Sequence, residues 1–276
     1  MVKSIVIVGG GSAGWMTAAA LAARVQGIQI KLIESSDIPI IGVGESTIVP
    51  MVDYMAGLGL SEAEWMPAVN ATYKSAIRFN NFYEQGEGFF YTFEPMQMVA
   101  DRPINRFWHH HYLSDPKNVD RMSFYDYCFI TPDVLNRGGT IRSVMNAGPS
   151  YHVDAGLLGD FLAKYSMQRG VERIIDTISG VDRDEFGGIA RLYRENGEPL
   201  EADLCIDCTG FRSLLLGQTL EEPFDSYQDY LFNNKAVALR FDYEQPAEEM
   251  QSYTNCTALS SGWVWEVPLY TRRGSG

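Results

Sequence analysis

The chain opens on an unbroken apolar run, Ile5 to Val8, followed by glycines at Gly9, Gly11 and Gly14 and an Ala-rich stretch with no breaker until Gly27. A short run without polar alternation predicts a buried parallel strand. The glycines have the spacing G-x-G-x-x-G, which serves a tight turn, close approach of backbone to a pyrophosphate, and close helix–strand packing. The Ala-rich stretch reads as a helix whose first N–H groups and positive dipole end point at the phosphates. A second apolar run, Ile28 to Ile33, ends at Glu34, where an acid can hold a ribose hydroxyl. The pattern predicts a dinucleotide-binding Rossmann unit, with NAD and FAD both open at this point.

The pattern then changes. Residues 40–50 carry Gly42, Gly44, Glu45-Ser-Thr47 and Pro50, which suits a loop laid against something and placed to meet the rest of the cofactor. Helices are expected from about Pro50 to Leu58 and from Ser61 to Tyr73, the second with Glu62 and Glu64 in its first turn. Lys74 to Tyr83 alternates like a strand. Residues 84–129 are crowded with aromatics, including Phe89, Phe90, Tyr91, Phe93, Phe107, Trp108, Phe124 and Tyr125, which fit equally a core or a pocket for a flat apolar substrate. Ala155 to Arg169 reads as an amphipathic helix stopped by Gly170. Val171 to Thr177 and Ile189 to Tyr193 read as strands of a small antiparallel insert, joined through the turn Asp182 to Gly188, with a second hairpin turn at Asn196-Gly197. Ala202 to Cys208 is a further buried strand with a glycine turn, Gly210, at its carboxyl end. Trp263 and Trp265 share one face of a last strand that Pro268 ends or edges.

Composition adds limits. With 276 residues, 46% hydrophobic and 21% charged, the chain suits one large globular domain or two moderate ones. The formal charge, 22 − 35 = −13, argues against nucleic acid or an anionic membrane as partner. No apolar run is long enough to span a bilayer and the N-terminus is a core strand, so the expected location is cytoplasmic. Cys205 and Cys208 form one C-x-x-C inside a strand, where they face opposite ways, and His109 to His111 are consecutive, so their rings diverge. Neither group predicts a metal site.

Three segments then carry a specific resemblance: Gly9-Gly-Gly-Ser-Ala-Gly-Trp-Met-Thr-Ala18, Gly42-Val-Gly-Glu-Ser-Thr-Ile-Val-Pro50 and Gly262-Trp-Val-Trp-Glu-Val-Pro268. In that order they resemble the flavin-dependent halogenases of the tryptophan-halogenase family, whose W-x-W-x-I-P signature is matched here with Val267 in place of Ile. Tyr151-His-Val-Asp154 and Asp207-Cys-Thr-Gly-Phe-Arg-Ser213 also look like family positions on the FAD scaffold. The resemblance covers essentially the whole chain. It implies an α/β, Rossmann-type FAD-binding fold of the GR2-like flavin monooxygenase and halogenase class, with an antiparallel β insert and an aromatic-rich substrate region. Residues 1–276 would form one FAD-binding domain with a substrate-side insert at about 75–150.

The chemistry the resemblance implies starts with FADH2 delivered by a separate flavin reductase. Oxygen gives a C4a-hydroperoxide, halide attacks it, and hypohalous acid travels to a lysine beside a small aromatic substrate such as an indole, pyrrole or phenol. Lys74 matches that catalytic lysine. The cofactor residues carried over are Gly9, Gly11, Ser12, Ala13, Gly14, Glu34, Gly42, Val43, Gly44, Glu45, Ser46, Thr47, Asp207 and Gly210. Trp263 and Trp265 would wall the flavin pocket and keep the organic substrate from being hydroxylated. Homodimerisation is left open. The family's general-base glutamate, halide site and C-terminal helical region would lie past residue 276. Two alternatives stand beside the halogenase: a truncated FAD-binding scaffold and a flavin monooxygenase of the same fold.

Overall fold

The computed structural model describes residues 2–37, 42–114, 124–136 and 149–276. Residues 38–41 of the expected loop, and 115–123 and 137–148 of the expected insert, lie outside that description. Two compact units emerge, one from residues 1–42, 54–69 and 155–234, the other from 43–53, 70–154 and 235–276.

The first unit is built on a four-stranded parallel sheet in the order Glu172–Ile175, Gln29–Glu34, Ser4–Val8, Leu204–Asp207. Alternation along the strands divides its core between two faces. Val6, Val8 and Ile33 pack with Ile178, Leu192, Leu200 and Leu215. The opposite parity, Ile5, Ile7 and Leu32, is equally buried. Helix Ser12–Arg24 sits against the two N-terminal strands, presenting buried Trp15, Ala18 and Ala19, and packs along helix Ala155–Met167. The small side chains are what permit this close approach. Gly170, with φ +90°, ends the second helix as its position predicts.

Two expectations need correction here. Val171 to Thr177 is not a strand of the antiparallel insert. Its Glu172–Ile175 joins the parallel sheet beside Gln29–Glu34, and the insert is made by Ile178–Arg183, Ile189–Arg194 and Pro199–Leu200. No glycine or proline interrupts Val171 to Ser179, so nothing local marked the change of sheet at Asp176-Thr177. The run Ala202 to Cys208 contributes a shorter strand, Leu204–Asp207, at the sheet edge, and Leu204 is exposed rather than buried. An edge strand has one neighbour and so less cover.

The second unit holds a six-stranded sheet ordered Leu239–Asp242, Arg272–Ser275, Gly262–Pro268, Tyr253–Leu259, Ala76–Asn80, Gly88–Thr92. All its pairings are antiparallel except Tyr253–Leu259 with Ala76–Asn80. A smaller sheet places Ser150–Val153 between Glu45–Ser46 and Thr72–Lys74. The aromatics largely pack on one another: Phe89 stacks on Phe79 at 5.3 Å and on Tyr125 at 5.5 Å, and Trp108 stacks on Tyr112 at 5.2 Å.

The helix expected to reach Tyr73 runs only from Glu62 to Ala68. Pro67 lies within it, and Asn70 takes a left-handed φ of +55°, which turns the chain into strand Thr72–Lys74. The single strand expected over Lys74 to Tyr83 is two. Ser75 donates its N–H to Ser252 O, and Ala76–Asn80 begins afterwards in the other sheet. Lys74 therefore ends one strand instead of heading another.

Candidate functional site

At the carboxyl ends of the parallel strands, the glycine turn borders a cavity of about 470 Å³ lined by Gly9, Gly11, Ser12, Glu34, Thr177 and Gly210 among others. The turn needs its glycines for different reasons. Gly9 has φ +110°, and a Cβ there would sit 2.2 Å from Cys208 O. A Cβ on Gly14 would sit 1.9 Å from Gly9 O. Gly11 is different: φ is −71°, and a Cβ would meet nothing within 4 Å, so the open space at this position lies at the helix N-terminus. Ser12 and Ala13 start the helix there, with N–H groups that no helical carbonyl can reach. An open cradle at a helix N-terminus, with an acid at the end of the next strand, fits the pyrophosphate and ribose of a dinucleotide.

The motif spacing assigns nothing to Gly10, yet the fold requires it. A Cβ on it would fall 1.5 Å from Glu34 Oε2, so its absence lets Glu34 fold over the turn. The Glu34 carboxylate is held there from two sides. Arg173 donates to Oε1 through Nε and Nη2, both at 2.6 Å, and Trp15 Nε1 donates to Oε2 at 3.3 Å. Trp15 and Arg173 are the residues that sequence reading missed. Trp15 stood inside the glycine motif without a role, while Arg173 reaches Glu34 only through strand register.

Asp207 does not line this cavity. Its carboxylate accepts from Thr209 N and Oγ1 at 3.0 and 2.6 Å, and from Leu215 N and Leu216 N at 2.7 and 3.0 Å. It thereby fastens the turn carrying Gly210, whose φ is +63°, to the segment Leu214–Thr219. Burial alone would raise its pKa, but these hydrogen bonds outweigh it and hold the carboxyl below its ordinary value. The stabilisation is present above the unfolded pKa and disappears as pH falls through the folded one. Asp207→Asn should cost about 1–3 kcal/mol at pH 7 and flatten the acid limb of the stability curve, as measured by urea unfolding between pH 3 and 7.

The second unit contains a buried polar centre. Lys74 is 2% exposed; its Nζ donates to Thr47 O at 2.7 Å and lies 4.8 Å from the centre of the Phe93 ring. Burial pulls its pKa down to about 8, against a smaller opposing influence from Cys256. Thr47 is itself tied to the central strand: its N–H and hydroxyl both donate to Tyr151 O, at 2.9 and 2.7 Å. Preceding residues are held as closely. Gly44 has φ +133°, Val43 O accepts from Arg272 Nη1 at 2.5 Å, and Arg272 Nη2 pairs with Asp154 at 2.7 Å. Glu45 and Ser46 keep exposed surface. The Glu45 carboxyl lies above its usual range through partial desolvation and the nearby Asp154 charge. Gly42 belongs to the first unit, where a Cβ would approach Ala155 Cβ to 3.2 Å.

Trp263 and Trp265 do share a strand face, with ring centroids 5.2 Å apart, and Trp263 is 42% exposed. Helix Asn105–Ser114 carries the three consecutive histidines on its exposed surface. Among the described residues no three His, Cys, Asp or Glu gather as metal ligands, and no helix is long and apolar enough to cross a membrane.

Comparison with known proteins agrees on one relationship. A family model described as tryptophan halogenase matches residues 4–276. Tryptophan 6-halogenase SttH of Streptomyces toxytricini is 37% identical, over 99% of this chain and 56% of its own length. 7-Chloro-L-tryptophan 6-halogenase KtzR of Kutzneria sp. is also 37% identical, over 99% of this chain and 57% of its own. The solved structure of Xcc4156, a flavin-dependent halogenase from Xanthomonas campestris, superposes with a TM-score of 0.90 at 35% identity, covering all of this chain and 55% of that one. The chain thus spans little more than half the length of the relatives it matches.

Proposed function

The chain belongs to the tryptophan halogenase family, and on that premise we propose that it takes part in FADH2-dependent halogenation of an electron-rich aromatic, with tryptophan and related indoles as the first class of substrate. The observation that carries this reading is Lys74, an amine buried at 2% exposure, hydrogen-bonded to Thr47 and with its pKa brought down to about 8. Burying an ammonium is costly unless it is paired and hydrogen-bonded, and groups held at such a cost cluster at functional sites.

Reduced flavin and oxygen supply the two-electron oxidising equivalent that turns chloride or bromide into an electrophilic halogen. The chain's own residues do the rest of what is proposed. Gly9 to Gly14 receive the pyrophosphate on backbone N–H groups, and Glu34, already oriented by Arg173 and Trp15, accepts from the ribose. Lys74 engages hypohalous acid, either by donating a hydrogen bond that polarises its oxygen–halogen bond or by exchanging an N–H hydrogen for halogen with loss of water. Its fixed position then presents the halogen to one ring carbon. A pKa near 8 leaves both the ammonium donor and the nucleophilic free amine accessible around neutral pH. A separate flavin reductase is the source of FADH2 in this reading. Trp263 and Trp265 serve as a wall against the organic substrate.

The test supplies FADH2, oxygen and chloride or bromide together with tryptophan and a panel of indoles. Mono-halogenated product by mass spectrometry is the expected result. A hydroxylated product formed without halide would identify a monooxygenase, and no product with no bound FAD would identify a scaffold.

A further inference from the structure

His152 lies in the middle of the three-stranded sheet, fully buried, with Ser46 of the loop opposite it on one side and Thr72 of the lysine-bearing strand opposite it on the other. Its hydrogen bonds have only one consistent direction. The Thr72 hydroxyl gives its one proton to Pro268 O at 2.6 Å, so toward His152 Nδ1, 3.0 Å away, it can only accept. Nδ1 therefore carries the ring proton. Nε2 is then an acceptor, and Thr254 Oγ1, 2.9 Å away, must donate to it. With its proton committed, Thr254 accepts from Ser46 Oγ at 2.6 Å. One imidazole thus links the loop, the lysine strand and the carbonyl that ends the tryptophan strand.

We propose that His152 is a positioning residue whose neutral Nδ1–H tautomer ties Ser46 to the Thr72–Lys74 strand and thereby keeps the Thr47 carbonyl on the Lys74 amine. The assignment rests on the reading that Lys74 presents the halogen. Backbone pairing holds the two flanking strands to the central one over only two and three residue pairs, which leaves their twist free to relax. The side-chain relay crosses both pairings at one register position and fixes them together. A charged imidazole would reverse this half of the relay, because Nε2–H could donate to Thr254 only if the Thr254 proton turned away toward Ser46. Burial, and next the charge of Lys74, lower the pKa of His152 to about 3, against a smaller opposing hydrogen bond to Pro268 O, so the ring stays neutral across the working range.

Two substitutions separate this role from mere core filling. Asn places an amide nitrogen where Nδ1 lies and keeps the link to Thr72 and Pro268, but cannot reach Thr254. Gln reaches Thr254 with an acceptor oxygen and keeps the link to Ser46, but loses the one to Thr72. In ¹⁵N-labelled protein, long-range ¹H–¹⁵N spectra should show His152 protonated on Nδ1. Amide exchange at Thr47, whose N–H is bonded to Tyr151 O, should accelerate about ten-fold, the scale of one lost hydrogen bond, in both H152N and H152Q, since each cuts one half of the relay, whereas core filling would spare the longer Gln. Halogenated product per FADH2 consumed should fall in both variants.

An Nε2–H tautomer, or Thr47 exchange left unchanged in H152Q, would overturn the proposal. The tautomer reading on the unaltered protein decides it even if H152N does not fold. Should the spectra and exchange rates come out as expected in a protein that halogenates nothing, the positioning role stands and the halogenation reading fails.

Discussion

Gly14→Ala should abolish flavin binding and destabilise the first unit, although Ala is the better helix former. Gly14 is the third residue of helix Ser12–Arg24, where replacing Gly with Ala ordinarily gains about 1 kcal/mol. Here the added Cβ would stand 1.9 Å from Gly9 O and 3.0 Å from Gly9 C, with Leu32 Cδ1 at 3.5 Å behind it. The obstructing atoms are backbone. Relief therefore requires moving the helix off the strand or the turn out of shape, and overpacking of this kind costs about 1–3 kcal/mol or more. The clash wins, and the atoms it displaces are those that would cradle the pyrophosphate.

Gly11→Ala is the control that divides the two consequences. Its Cβ meets no protein atom within 4 Å and its φ of −71° suits any residue, so the fold should be unchanged. The methyl would still project into the open cradle and weaken FAD by about 10–100-fold, equivalent to roughly 1.4–2.8 kcal/mol. Urea midpoints and FAD titration of both variants check this. A Gly11→Ala protein that binds FAD normally would remove the phosphate from this turn.

What could be read from the sequence was what is local along the chain. The spacing of Gly9, Gly11 and Gly14, the run Ile5 to Val8, and the stop at Gly170 each depend on neighbours within one turn or strand, and each appears in the structure where expected. What escaped depends on residues far apart. Thr254 lies 102 positions from His152, and Arg173 lies 139 from Glu34, so no periodicity links either pair. The change of sheet at Ser75 escaped for the same reason, since its cause is the pairing of Ala76–Asn80 with Tyr253–Leu259. Gly10 escaped because the motif spacing passes over it, though Glu34 needs the space a side chain would fill. Asp207 shows the converse: a residue picked out by resemblance has its carboxylate occupied in fastening the chain that carries Gly210.

Lys74→Met should end halogenation while making the protein more stable at neutral pH. The pKa of Lys74 falls from 10.5 to about 8 on folding, chiefly through burial. Between those values the unfolded chain binds more protons than the folded one, so stability rises with pH across that window. Below pH 8 the penalty is complete, about 3 kcal/mol at 1.36 kcal/mol per pKa unit; above about pH 10.5 it has gone. Methionine fills the same volume without charge and removes the penalty, but leaves Thr47 O without its lysine donor, which returns about 1 kcal/mol or somewhat more. The net expectation is a gain of about 1–2 kcal/mol at pH 7 that shrinks and then reverses as pH rises past 10, read from urea unfolding at a series of pH values. Product formation should fall at least about a thousand-fold, as for loss of a group that positions the reacting atom, with FAD affinity unchanged because Lys74 is not in the dinucleotide cavity. Halogenation surviving in Lys74→Met would remove the role given to the amine. A protein that carries a buried charge at this cost, and becomes more stable but inert without it, has the charge there for its chemistry.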